Sequence, residues 1–201
     1  MTLARAVCVF CSSSERIDPA YSRLAGDVGT ALARRGWTLV SGGGSVGMMG
    51  AVARSARAGG ARTVGIIPRA LADLEVADHD ADELVVTADM RERKGLMDAR
   101  ADAFLTLPGG IGTLEELLEI WVARSLGMHA KPVVVLDPTA VFAPLRAQVD
   151  ALVGAGFVRP PAAAEVVWAD TVQEAFAALE AGLVSPHERR APADEFIEAQ
   201  P

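Results

Sequence analysis

The chain has only two cysteines and two lysines among its 201 residues, its three histidines are scattered, and it lacks any long apolar run. Cys8 and Cys11 form a C-x-x-C pair, which invites a redox or zinc reading. A redox pair belongs at a helix start, however, and these two lie on and just after an apolar strand. Zinc would need two further ligands, and His79, His129 and His187 form no ligand pair. Both thiols are therefore expected to be small buried apolar groups. No window reaches the eighteen or so apolar residues of a membrane span. The opening MTLARAVCVFCSS holds too short an apolar stretch for a signal peptide and ends in a turn rather than a cleavage site, so a cytoplasmic location is expected. Excess positive charge is missing too. A formal net charge of −7 disfavours a nucleic-acid platform but leaves room for a small anion held by local dipoles and one or two arginines.

With 51% apolar and 22% charged residues, the composition is that of a globular protein, long enough for one well-buried domain. Short apolar runs alternate with helical periodicity. Strands are predicted at Ala6–Phe10, Trp37–Val40, Arg62–Ile67, Leu84–Thr87, Ala103–Leu107, Pro132–Leu136 and Ala164–Trp168. Helices are predicted at Pro19–Arg35, Ala51–Ala58, Asp89–Arg100, Thr113–Ser125, Val141–Val153 and Val172–Leu179, with residues 69–82 polar and irregular. Continuous Val/Ile/Leu strands between helices indicate a three-layer, Rossmann-like α/β fold, a central parallel sheet flanked by helices. Residues 1–183 form one nucleotide-binding domain, and 184–201, polar and proline-containing, are expected to be a mobile tail. In such sheets ligands bind at the carboxyl ends of the strands.

Two glycine-rich stretches fall at such ends. Gly42-Gly43-Gly44-Ser45-Val46-Gly47 satisfies G-x-G-x-x-G, but it follows the second strand, and no acidic residue ends the next one to hold a ribose hydroxyl. Met48 stands where a nucleotide-triphosphatase loop has lysine. What remains is a backbone able to approach a phosphate closely at a helix start. The second stretch, TLPGGIGTLEELLEIW, places Thr113 and Glu116 at capping-box spacing. On the helix that follows, Leu114, Leu117, Leu118 and Trp121 make an apolar stripe facing the core, and Glu116 points away from it. Periodicity leaves Glu116 open as a helix cap or as a chemical group. A third stretch, Met90-Arg91-Glu92-Arg93-Lys94, is the densest basic spot, and a guanidinium there could clamp a phosphate or carboxylate.

Taken in order and spacing, SGGGSVGMMGAVA, the ERK of MRERKGLM, ADAFLTLPGGIGTLEEL and LGMHAKPV closely resemble the LOG family over roughly residues 5–180. Those proteins are cytokinin riboside 5′-monophosphate phosphoribohydrolases, and many similar sequences carry the label "lysine decarboxylase". The resemblance implies hydrolysis of the N-glycosidic bond of AMP or N6-prenylated AMP, with no metal and no organic cofactor. It also implies a homodimer with active sites at the interface. By the same resemblance Arg93 and Glu116 are the catalytic pair. Pro108, Gly109, Gly110, Gly112 and Thr113 form the phosphate-side loop, with Gly43, Gly44 and Ser45 contributing, and Ser13, Met90 and Lys94 are further substrate contacts. Relatives commonly read CGSS where this chain reads CSSS, so Ser12 replaces a glycine, and Arg91 stands where many have histidine. One alternative is a non-enzymatic nucleotide or cofactor carrier on the same fold. A pyridoxal-phosphate decarboxylase would need a Schiff-base lysine, and only Lys94 and Lys131 are available.

Overall fold

The computed structural model describes residues 5–73 and 76–184. Seven strands, β1 (Ala6–Phe10), β2 (Thr38–Ser41), β3 (Thr63–Pro68), β4 (Glu83–Thr87), β5 (Ala103–Thr106), β6 (Val133–Leu136) and β7 (Val166–Ala169), form one sheet in the order β4-β3-β2-β1-β5-β6-β7. Every pairing is parallel. The chain steps outward from β1 to the edge at β4, then crosses back to set β5 beside β1. The cleft where loops diverge therefore opens above the carboxyl ends of β1 and β5.

Alternation along the strands separates two apolar layers. Val7, Val9 and Leu105 face helices α1 (Pro19–Arg34), α2 (Gly47–Ala58) and α8 (Val172–Val184), packing with Val28, Leu32, Val52 and Phe176. Cys8, Phe10 and Phe104 face α4 (Met90–Ala99), α5 (Ile111–Ser125) and α6 (Ala143–Gly154), packing with Met97, Leu117, Trp121 and Phe142. Both cysteines are free and buried, as the sequence suggests.

Several boundaries differ from expectation. The glycine stretch after β2 already belongs to α2 from Gly47, four residues before the expected start. Single-turn helices α3 (Arg69–Ala72) and α7 (Pro160–Ala163) occupy stretches too short to show apolar periodicity. Helix α8 continues past Leu179 through Val184; the rest of the expected tail, 185–201, lies outside the described residues. Leu118, assigned above to the core stripe, is 41% exposed, and Ile120 is buried in its place.

The segment after α3 is fastened over the cleft. Asp78, buried, takes two hydrogen bonds from Arg57 at 2.6 and 3.1 Å, and its own amide donates to the Gly43 carbonyl. An isolated antiparallel bridge joins Gly44 to Ala77.

Candidate active site

The loops above the cleft enclose a cavity of about 470 Å³. Cys11, Ser12 and Ser13 reach it from the end of β1, and Gly42, Gly44, Val46 and Met49 from the β2–α2 turn. Ile67, Leu71 and Val76 give it an apolar wall, while Arg93, Gly110, Gly112, Thr113 and Glu116 arrive from α4 and α5. The β1 and β2 loops can approach this closely because Gly47 has φ +57, with the backbone of Ser13 and Ser14 2.7 Å from where its Cβ would stand.

Helix α5 begins at Ile111 with Gly110 as its N-cap, and no side chain caps it. Thr113 is therefore already inside the first turn, and the capping-box expectation for Thr113 and Glu116 fails. The same T-x-x-E spacing does make a box at α8, where Thr171 Oγ1 accepts from the Glu174 amide and Glu174 Oε2 accepts from the Thr171 amide, both at 3.1 Å. A second box opens α4, through Asp89, Glu92 and the Ala88 amide. The start of α5 keeps its first-turn amides unpaired within the helix and presents them at the cavity mouth, an arrangement suited to an anion. The start of α2 at Val46 lacks a side-chain cap as well.

In the first glycine stretch the backbone donors already have partners within the protein. The Gly43 amide donates to Ser41 Oγ, the Gly44 amide to Met49 Sδ, and the Ser45 amide to the Val76 carbonyl. Ser45 Oγ also donates to that carbonyl. Gly43, Gly44 and Ser45 thus brace the wall with donors already engaged.

Glu116 is buried and faces Arg93. Nη1 of Arg93 donates to Oε1 of Glu116 at 3.0 Å, with only 7% and 10% of the two side chains exposed. Nε of Arg93 donates to the Ile66 carbonyl on β3 at 3.1 Å, which fixes the guanidinium's approach. Oε2 of Glu116 takes no hydrogen bond from the described residues. Burial pushes the Glu116 carboxyl above the usual glutamate range, and the Arg93 charge and hydrogen bond pull it part of the way back. Burial, and after it the negative charge of Glu116, also pushes the Cys11 thiol up, so that thiol stays protonated.

Not every expected residue joins them. Ser13, Gly110, Gly112 and Thr113 line the cavity with the pair. Met90 is 44% exposed, with its sulfur 4.0 Å from Arg93 Nη1. Lys94 turns to Glu115 and to Glu119, the latter at 2.7 Å, and lines a neighbouring groove of about 860 Å³ between α4 and α5. Arg91 is exposed and lines neither. Pro108 and Gly109 border a smaller pocket of about 260 Å³ behind the α5 start, with Tyr21 and Val141. Met49, Ile67, Leu71 and Val76 escaped the sequence reading. Ile67 lies near the end of β3, where the carboxyl-end rule could have flagged it, whereas Met49 sits on α2, Leu71 on α3 and Val76 in the segment after α3.

Residues 49–179 match the family described as "Possible lysine decarboxylase". The cytokinin riboside 5′-monophosphate phosphoribohydrolase of Mycobacterium marinum is 51% identical over 176 residues, 88% of this chain and 94% of the relative. The enzyme of that name, LOG3, from Arabidopsis thaliana is 42% identical over 176 residues, 88% and 82%. Among solved structures, the molybdenum cofactor binding protein of Rippkaea orientalis superposes with a TM-score of 0.69 at 20% identity, covering 90% of this chain and 98% of its own, a likeness of fold alone. The Arg93–Glu116 pair, the glycine-led start of α5 and half-identity along nearly the whole length lead to one assignment: this chain belongs to the LOG family.

Proposed function

We propose that this protein hydrolyses the N-glycosidic bond of AMP or of N6-modified AMP, releasing the free base and ribose 5-phosphate. The observation that carries the reading is the buried Arg93–Glu116 pair one helical turn beyond an uncapped helix start. The 5′-phosphate sits against the amides of Gly110, Ile111, Gly112 and Thr113, where the α5 dipole favours negative charge. The ribose then lies toward Glu116. Breaking C1′–N9 builds positive charge on the sugar, and an ionised carboxylate beside it stabilises that charge or takes a proton from the attacking water. Arg93 holds Oε1 and favours the ionised form against burial, leaving Oε2 for the substrate. Water's oxygen joins C1′, and the base leaves with a proton.

The decarboxylase label finds no support in the lysines. Lys94 is paired with Glu115 and Glu119, and Lys131 with Asp98 at 2.7 Å, all outside the cavity. Two copies pair through the α4–α5 face, where Ile111 is 87%, Val122 53% and Met128 76% exposed beside the groove that Glu116 also lines. Among the described residues no helix is long and apolar enough to cross a membrane. Free buried thiols and a nucleotide substrate suit a cytoplasmic setting.

The test is incubation of purified protein with AMP and N6-isopentenyl-AMP, with chromatography for free base and ribose 5-phosphate. Release of base from either supports the hydrolase. Tight nucleotide binding without cleavage would make the protein a carrier on this fold.

A further inference from the structure

Gly42 follows the last residue of β2 and lies beneath the Arg93 side chain. A Cβ placed on it would stand 1.9 Å from Arg93 Nη2 and 3.0 Å from Cζ. Its backbone does not occupy the left-handed region, so torsion alone does not call for glycine. The third neighbour, Met49 Cε at 3.2 Å, is the end of a flexible side chain. What glycine provides at this position is room for a guanidinium.

We propose that Gly42 is a positioning residue for the Arg93–Glu116 pair: its bare Cα lets the guanidinium settle against the end of β2 while holding Ile66 and Glu116 together. The proposal rests on the catalytic reading of that pair and deepens it. A methyl group at 42 meets the far end of a long side chain, so the cheapest response is for Arg93 to move. To reach ordinary contact at 3.4 Å, Nη2 must withdraw by about 1.5 Å. A planar group cannot retreat that far and keep both its 3.1 Å bond to Ile66 and its 3.0 Å bond to Glu116. The charged groups acting on Glu116 are Arg93 and Lys94 from α4 and Glu115 on its own helix, and the thiols of Cys8 on β1 and Cys11 just after it feel its charge in turn. Arg93 alone among them donates a hydrogen bond to it, so its withdrawal leaves burial less opposed and the carboxyl titrates higher.

The experiment compares Gly42→Ala, Arg93→Ala and the double variant. Gly42→Ala is expected to lower kcat about a hundredfold, the scale of an ångström-sized misplacement, with KM within about threefold. The Glu116 carboxyl, identified in 13C spectra by its loss in Glu116→Gln, should titrate at higher pH in Gly42→Ala than in wild type. The double variant should turn over within about twofold of Arg93→Ala, because a displaced arginine and an absent one are equivalent. If the methyl lowers the melting temperature, it should cost nothing further in the Arg93→Ala background, so the double variant should melt with Arg93→Ala. Losses that multiply, an unmoved titration, or a further melting defect in the Arg93→Ala background would each overturn the proposal. Should wild type cleave no nucleotide, the hydrolase reading falls, while the titration and the melting comparison still decide the role of Gly42.

Discussion

Replacing Glu116 with Gln should separate stability from activity in an unusual direction. The side chains are nearly isosteric, so the amide oxygen can still accept from Arg93 Nη1 at about the present 3.0 Å. The bond stays charge-assisted through the Arg93 cation, and losing the negative charge on its acceptor costs about 1 kcal/mol. Against that, an ionised carboxyl with a tenth of its side chain exposed carries a desolvation penalty on the order of several kcal/mol, which Gln does not. Burial is the largest influence on Glu116 and raises its pKa despite the arginine, so the balance favours the amide. The sign follows from linkage. The folded protein holds the Glu116 proton more tightly than the unfolded chain does. Its contribution is complete below the unfolded pKa and is lost as pH rises through the raised folded value. Gln has nothing to lose there. The variant should match wild type near pH ~4 and melt above it at about pH 7. Turnover should meanwhile fall at least about a hundredfold, some ~2.7 kcal/mol of barrier. Calorimetry at the two pH values with base-release kinetics checks both. A variant that melts below wild type at neutral pH and keeps its turnover would refute the reasoning and return Glu116 to a structural role.

Thr171→Ala removes a reciprocal cap, so Tm should drop by about 1 kcal/mol equivalent with kcat/KM unchanged, read by thermal melts and product assay. Gly112 has open space where a Cβ would point, so Gly112→Asp should fit. It should stabilise α5 by about 0.5 kcal/mol through the helix dipole while raising KM at least about tenfold by opposing the phosphate. Val122→Glu alters an exposed position and should leave monomer stability within about 0.5 kcal/mol. Light scattering should find dimers for wild type and monomers for the variant; a dimer in both would reject the α5 face as the interface.

The layout of the sheet was legible because parallel strands buried on both faces read as unbroken apolar runs such as Val133–Leu136. Helix starts were less so. Two identical T-x-x-E spacings differ only in whether the helix has already begun upstream, and at Gly110 it has. The partnership of Arg93 with Glu116 joins residues on two different helices. Periodicity gives the direction a side chain leaves its helix, not what waits there, so it came from the family resemblance instead. The engaged amides of Gly44 and Ser45 depend on Met49 and Val76, partners that no local pattern in the loop names.

The bare first turn of α5 has a bearing on how the reaction ends. Cleavage of the glycosidic bond leaves the phosphate chemically unchanged, so amides that hold the incoming nucleotide as proposed should hold the departing sugar phosphate in the same way. The base loses its tether at once, whereas ribose 5-phosphate keeps its own. Product inhibition should therefore be competitive and stronger for ribose 5-phosphate than for the free base, and inorganic phosphate should imitate it at higher concentration.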